Sequence, residues 1–224
     1  PTPQGAQTAE QFGEALSAAG LCVVSGLALG VDGAAHQGAL RGGKVRDGGS
    51  AHTQHWHTVA VVGTGLDRVY PRQHQTLANE IARNGLVISE YLLGTAPLAH
   101  NFPKRNRLIA ALGLGTLVVE AALKSGSLIT AKMALDLNRE VLAIPGSIHA
   151  TQSHGCHALI RQGAKLVENA YDVLEELQLA PQQQANLFAQ ALGANDDTPS
   201  DSAEHPLLAH MGYAPVSLDA LQAR

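Results

Sequence analysis

Several things are scarce in this sequence. Two cysteines, Cys22 and Cys156, stand far apart and form no CxxC pair. That fits a reducing cytoplasm better than a disulfide framework. Aromatic residues make up 4% of the chain, so its core must be aliphatic. No apolar run reaches the roughly 18 residues that a membrane-spanning helix needs, and none is expected. No charged-then-apolar signal segment opens the chain. The first residue is Pro1 rather than Met, which reads as a piece of a longer protein. A GxxxxGK[ST] phosphate loop is missing throughout, so ATP hydrolysis has no visible machinery.

What is present is an aliphatic chain of 224 residues, 45% hydrophobic, a length that suits one α/β domain and some extra. The formal net charge of −4 argues against a nucleic-acid partner until its distribution is read. Residues 168–224 carry nine acids and one base, whereas residues 1–167 carry 14 bases and 10 acids. A mildly basic main domain therefore precedes an acidic tail. Short apolar runs at 21–24, 58–62, 86–88, 117–119 and 141–144 read as buried strands. Helical patterns at 8–19, 31–40, 73–83, 107–112 and 128–137 lie between them. Gly20 and Gly85 sit where left-handed helix stops belong. The alternation predicts an α/β fold: a Rossmann-like, doubly wound, mostly parallel sheet with helices on both faces. Binding sites in such sheets form at the carboxyl ends of the strands. Residues 42–57 are Gly-rich and polar and read as an inserted loop. Residues 178–205 read as a flexible linker, and a short helical pattern follows over 206–224.

Four strand ends carry unusual loops. Ser25-Gly26-Leu27-Ala28-Leu29-Gly30 offers a close backbone approach and then a helix N-terminus, an arrangement suited to an anion; the plainer reading is an ordinary strand–helix turn. Gly63-Thr64-Gly65 begins like a dinucleotide fingerprint, but position 68 is Arg, which argues against NAD and leaves a backbone cradle for a phosphate. Lys104, Arg105, Asn106 and Arg107 crowd a helix start, where cations oppose the macrodipole; an anion between them would resolve the conflict, and a solvated basic face is the alternative. Lys124-Ser125-Gly126-Ser127 combines a helix cap, a nest of N–H groups and a point charge. His52, His55 and His57 flank Trp56. In a glycine-rich loop they read as a mobile surface segment rather than a metal site, and neither a metal nor a cofactor is expected.

The runs 25–40, 58–71, 102–112, 117–131 and 155–167 together resemble the Rossmann-like domain of the DprA/Smf family. Lys124-Ser125-Gly126-Ser127-Leu128-Ile129-Thr130-Ala131 and Arg105-Asn106-Arg107-Leu108-Ile109-Ala110 are the most specific parts. The resemblance covers most of residues 1–177. It implies a cytoplasmic protein, not an enzyme, that binds single-stranded DNA during natural transformation, shields it and helps load the RecA recombinase. It further implies a homodimer formed by the last part of the domain, for which His157, Ile160 and Leu166 are the expected contacts. The family's domain opens with a strand ending in Gly-Ser-Arg, and Pro1-Thr2-Pro3 resembles the segment just after it. One strand and one pocket arginine are thus expected ahead of Pro1. Residues 206–224 resemble the start of a winged-helix domain, cut short.

On this reading Ser25, Gly26, Gly63, Thr64, Gly65, Ser125, Gly126 and Ser127 present N–H groups to phosphates. Lys104, Arg105, Arg107 and Lys124 supply charge, and Asn106 meets a sugar or base. The competing reading is a nucleotide-binding Rossmann hydrolase acting on nucleoside monophosphates. Such enzymes carry a Pro-Gly-Gly-x-Gly-Thr loop where this chain has Lys124-Ser125-Gly126-Ser127.

Overall fold

A computed structural model describes residues 1–46 and 56–178. Helix α1 spans Pro3–Ala18, earlier than the apolar pattern predicts. Its start is set by Thr2, whose hydroxyl accepts from the N–H of Gly5, and by Pro3 at the first helical position. Then follow β1 (Val23–Ser25), α2 (Val31–Arg46), β2 (Thr58–Val61), α3 (Gln75–Asn84) and β3 (Leu86–Ile88). The second half contains α4 (Asn101–Leu112), β4 (Gly115–Val118), α5 (Gly126–Asp136), β5 (Glu140–Ala143), α6 (His154–Arg161), β6 (Lys165–Leu166) and α7 (Ala170–Glu176). Asn169 and Asp172 cap α7 reciprocally.

The strands are parallel, as their aliphatic composition requires, and they form two three-stranded sheets ordered β1-β2-β3 and β4-β5-β6. The structure thus divides the predicted sheet at the point where the strand order reverses. A cleft of about 580 Å³ lies between the edges of β1 and β4. Val23 and Val24 line one side, Thr116, Leu117 and Val118 the other, with α1 and α4 also in its walls. Aliphatic clusters cement each half: Leu27, Leu40, Ala60, Leu77 and Ile81 in the first, and Val118, Ala131, Val141, Cys156 and Leu159 in the second. Phe12 of α1 joins Leu142, Val167 and Val173 in a third.

Three local expectations change. Gly85 is extended rather than left-handed, and it is needed because a Cβ there would overlap the Thr58 carbonyl; Gly20 does adopt the left-handed conformation. The segment read as an inserted loop is helical as far as Arg46. At its other end His57 is 6% exposed, packed where a Cβ on Gly43 would fall, so it is no part of a mobile surface. Residues 47–55, with His52 and His55, lie outside the described residues, as do residues 179–224 with nearly all of the expected linker and the winged-helix segment.

Candidate nucleic-acid interface

The four motif loops sort into different environments. After β1, the carboxylate of Asp32 accepts from the N–H groups of Gly26 (3.1 Å) and Ala28 (3.2 Å). Leu27 holds the turn with φ of 58° and is buried. The chain's own acid therefore occupies this nest, and the Gly26 N–H is spent. Gly63, Thr64 and Gly65 are buried rather than presented to solvent. Gly65 donates to the Thr95 carbonyl, the Thr64 hydroxyl donates to the Arg68 carbonyl, and Phe102 lies against Gly63.

The cation cluster belongs to the first two turns of α4 rather than to its N-cap, and it is split by helical geometry. Asn101 and Arg105, one turn apart, face inward and are 3% and 4% exposed. Asn101 donates to the Gly63 carbonyl at 3.0 Å. Arg105 donates to the carbonyls of Gly26, at 2.6 Å, and Val61. Its guanidinium carbon lies 5.9 Å from the Phe102 ring centre. Burial pushes the Arg105 pKa down, against the attraction of Asp32 and Tyr91. Lys104 and Arg107 are exposed, and Arg107 is paired with the carboxylate of Glu90. That pair is half in solvent, so it holds Arg107 weakly.

The loop after β4 remains open. Ser125 caps α5, accepting from the Ser127 N–H at 3.3 Å while the two hydroxyls lie 2.5 Å apart. Gly126 is exposed, as is Lys124 just ahead of it. A Cβ at Gly126 would meet nothing within 4 Å. Ser25, Arg105, Asn106, Ser125, Gly126 and Ser127 all line the cleft between the half-sheets. The structure thus brings the first, third and fourth motifs to the cleft lining and buries Gly63-Thr64-Gly65 behind α4, off that lining. Sequence reasoning missed Glu120, whose carboxylate accepts from the Thr2 N–H at 2.9 Å and from the Thr2 hydroxyl, tying β4's end to α1. It also missed Asn101 and Asp32. The i, i+4 spacing of Asn101 and Arg105 was the available signal.

The geometry places polar groups and one cation, Arg105, together with the carboxylates of Asp32 and Glu120, at the switch point of a doubly wound fold, where such folds bind ligands. Comparison with known proteins identifies the lineage. Residues 1–178 match the family model for DNA recombination-mediator protein A. The chain belongs to that family.

Among its relatives, DNA processing protein DprA of Streptococcus pneumoniae is 47% identical over 176 residues, which is 78% of this chain and 57% of that one. Protein Smf of Escherichia coli is 46% identical over 168 residues, 75% of this chain and 42% of that one. The chain therefore spans about half the length of the curated relatives it matches. A crystal structure of the S. pneumoniae protein aligns with a TM-score of 0.70 at 44% identity, covering 80% of this chain and 59% of that one. A structure of DNA processing protein A from Helicobacter pylori, described for its single-stranded DNA binding mode, aligns with a TM-score of 0.68 at 30% identity. That alignment covers 80% of this chain and 75% of that one. Both confirm the Rossmann-like fold of this recombination-mediator domain. Among the described residues no helix is long and apolar enough to cross a membrane.

Proposed function

We propose that this domain binds single-stranded DNA for recombination and natural transformation, protecting incoming strands in the cytoplasm and helping load the RecA recombinase, without a catalytic step of its own. The observation that carries the reading is the cleft lining, where the open start of α5 (Ser125, Gly126, Ser127) stands with Ser25 and Asn106 and is preceded by exposed Lys124. Helix N-terminal N–H groups and a cation suit a phosphate. Lys104 and Arg107 on the outward face of α4 extend the charge along a strand's path. Asn106 lines the cleft and would meet a sugar or base. Few aromatics are available, so stacking contributes little and sequence preference is weak.

A homodimer is part of the proposal. Leu166 is 49% exposed on the short edge strand β6, which supports a role at a two-fold contact. Ile160 leans against the second half's core, and His157 is turned toward the Gly146 carbonyl at 3.0 Å, so both sit at the margin of such a patch. Sedimentation of the parent as a dimer and of Leu166→Glu as a monomer is expected; a parent that stays monomeric at high concentration contradicts this part.

Binding is tested by titrating the parent, Lys104→Ala and Lys124→Ala with a fluorescent oligothymidylate at several salt concentrations. Each lost phosphate contact is expected to flatten the log–log salt slope by about 0.7. A parent whose binding does not depend on salt, or variants indistinguishable from it, would refute the site.

A further inference from the structure

Arg105 stands in the middle of the most basic stretch of the domain, and its sequence context suggests one more phosphate ligand. Its surroundings say otherwise. The side chain is 4% exposed, while Lys104 and Arg107 on either side of it in the helix are in solvent. Its donors reach the Gly26 carbonyl, at the end of β1, and the Val61 carbonyl, the last residue of β2. One guanidinium thus holds the carboxyl ends of two neighbouring parallel strands to one helix. Asn101, a turn earlier, does the same to the Gly63 carbonyl.

Gly26 supplies an independent sign that the backbone is built around this group. A Cβ on Gly26 would overlap the guanidinium, within 2.6 Å of its carbon and of one of its nitrogens. The absence of a side chain after β1 thus leaves the space that the guanidinium fills. Both bonds leave from one terminal nitrogen, Nη1, while Nε is buried without a partner among the described residues; the group is walled in rather than saturated, and reaching a phosphate in solvent would require it to abandon both acceptors. Helical geometry adds the functional link: fixing Asn101 and Arg105 inward leaves Lys104 on the exposed flank of α4 and turns Arg107 to its outer side.

We propose that Arg105 is a positioning residue, not a phosphate ligand: it clamps the ends of β1 and β2 to α4 and so sets where Lys104, Asn106 and Arg107 stand. This rests on the single-stranded DNA reading above. Counterion release separates the two roles, because only a residue that neutralises a phosphate contributes to the salt slope.

The test uses the full 224-residue chain. Arg105→Met, Gly26→Ala and Lys104→Ala are titrated with fluorescent oligothymidylate from low to high salt. Arg105→Met and Gly26→Ala are expected to weaken binding on the order of tenfold at every salt concentration with the parental slope, the loss expected of one charge-assisted hydrogen bond. Lys104→Ala is expected to flatten the slope. A slope for Arg105→Met as flat as that of Lys104→Ala, or parental affinity in both Arg105→Met and Gly26→Ala, overturns the inference.

A second arm needs no variant. The parent is treated with phenylglyoxal with and without oligothymidylate, and modified arginines are mapped by mass spectrometry. Arg105 is expected to stay unmodified in both, while Arg107 reacts and is shielded by DNA. Modification of Arg105 that DNA suppresses also overturns the inference, even if Arg105→Met fails to fold. Absence of binding by the parent would instead defeat the functional reading, leaving modification of the free protein to report whether Arg105 is the buried clamp.

Discussion

His36 is completely buried, and its tautomer follows from its neighbours. The Thr58 hydroxyl donates its one proton to the Val23 carbonyl at 2.6 Å, so the 2.7 Å contact with His36 Nδ1 must be a donation from the ring. Nε2 then carries a lone pair, with no partner among the described residues. Burial lowers the His36 pKa to about 4; Asp32 pulls it up, while His74 and Arg105 push it further down. The unfolded chain would titrate this ring near its ordinary 6.5. Between those values the unfolded state takes a proton that the folded state refuses, so stability falls as pH drops from 6.5 toward 4. The window amounts to about 3 kcal/mol. Urea unfolding at pH 7 and pH 4.5 should show a larger acid loss in the parent than in His36→Asn, where the ring is gone. Equal losses would show that the acid sensitivity lies elsewhere.

Helices α1 and α2 meet backbone to backbone. A Cβ on Gly38 would overlap the Glu10 carbonyl, one on Gly42 the Glu14 carbonyl, and one on Gly13 the Ala35 carbonyl. Gly38 and Gly42 share a face of α2, and Arg41 between them ties the seam from outside through Glu10 (2.6 Å) and Glu14 (3.0 Å). Alanine normally stabilises a helix over glycine by about 1 kcal/mol. At Gly38 the helices would have to separate, an overpacking cost of about 1–3 kcal/mol or more. Thermal melts are therefore expected to show Gly38→Ala clearly below the parent, with Gly126→Ala, where the added carbon meets nothing, close to it. A Gly38→Ala protein as stable as the parent would mean that the seam is looser than described.

This element scale is also where the sequence was least legible. Strands announced themselves because buried aliphatic runs have one reading. The start of α1 did not, because Gly5 and Gly13 look like breakers until a partner helix explains them, although Thr2-Pro3 was a usable start signal. The basic cluster was legible as a cluster, but composition does not say which cation faces inward. Only the one-turn spacing of Asn101 and Arg105 does. Asp32 was invisible as a nest occupant, since nothing local distinguishes an acid that binds its own backbone from one in water.

At the scale of the whole molecule the deciding feature is the division between β1 and β4. Doubly wound order was legible from the alternation of elements, and the resemblance led us to expect a strand ahead of Pro1. The cleft's walls, two strand edges with α1 and α4 alongside, have the form of a slot for an extended segment, and Pro1 lies on its lining.

The same division bears on how the 224-residue chain behaves in a crowded tube. Strand edges that do not pair with each other display rows of N–H and C=O groups, and such rows template whatever extended chain arrives first. A second copy of the chain is one source of such an extended segment, and its share should grow as concentration rises. The first symptom of the cleft should then be colloidal rather than thermodynamic: turbidity that grows with protein concentration and is relieved by a short peptide able to lie along β1.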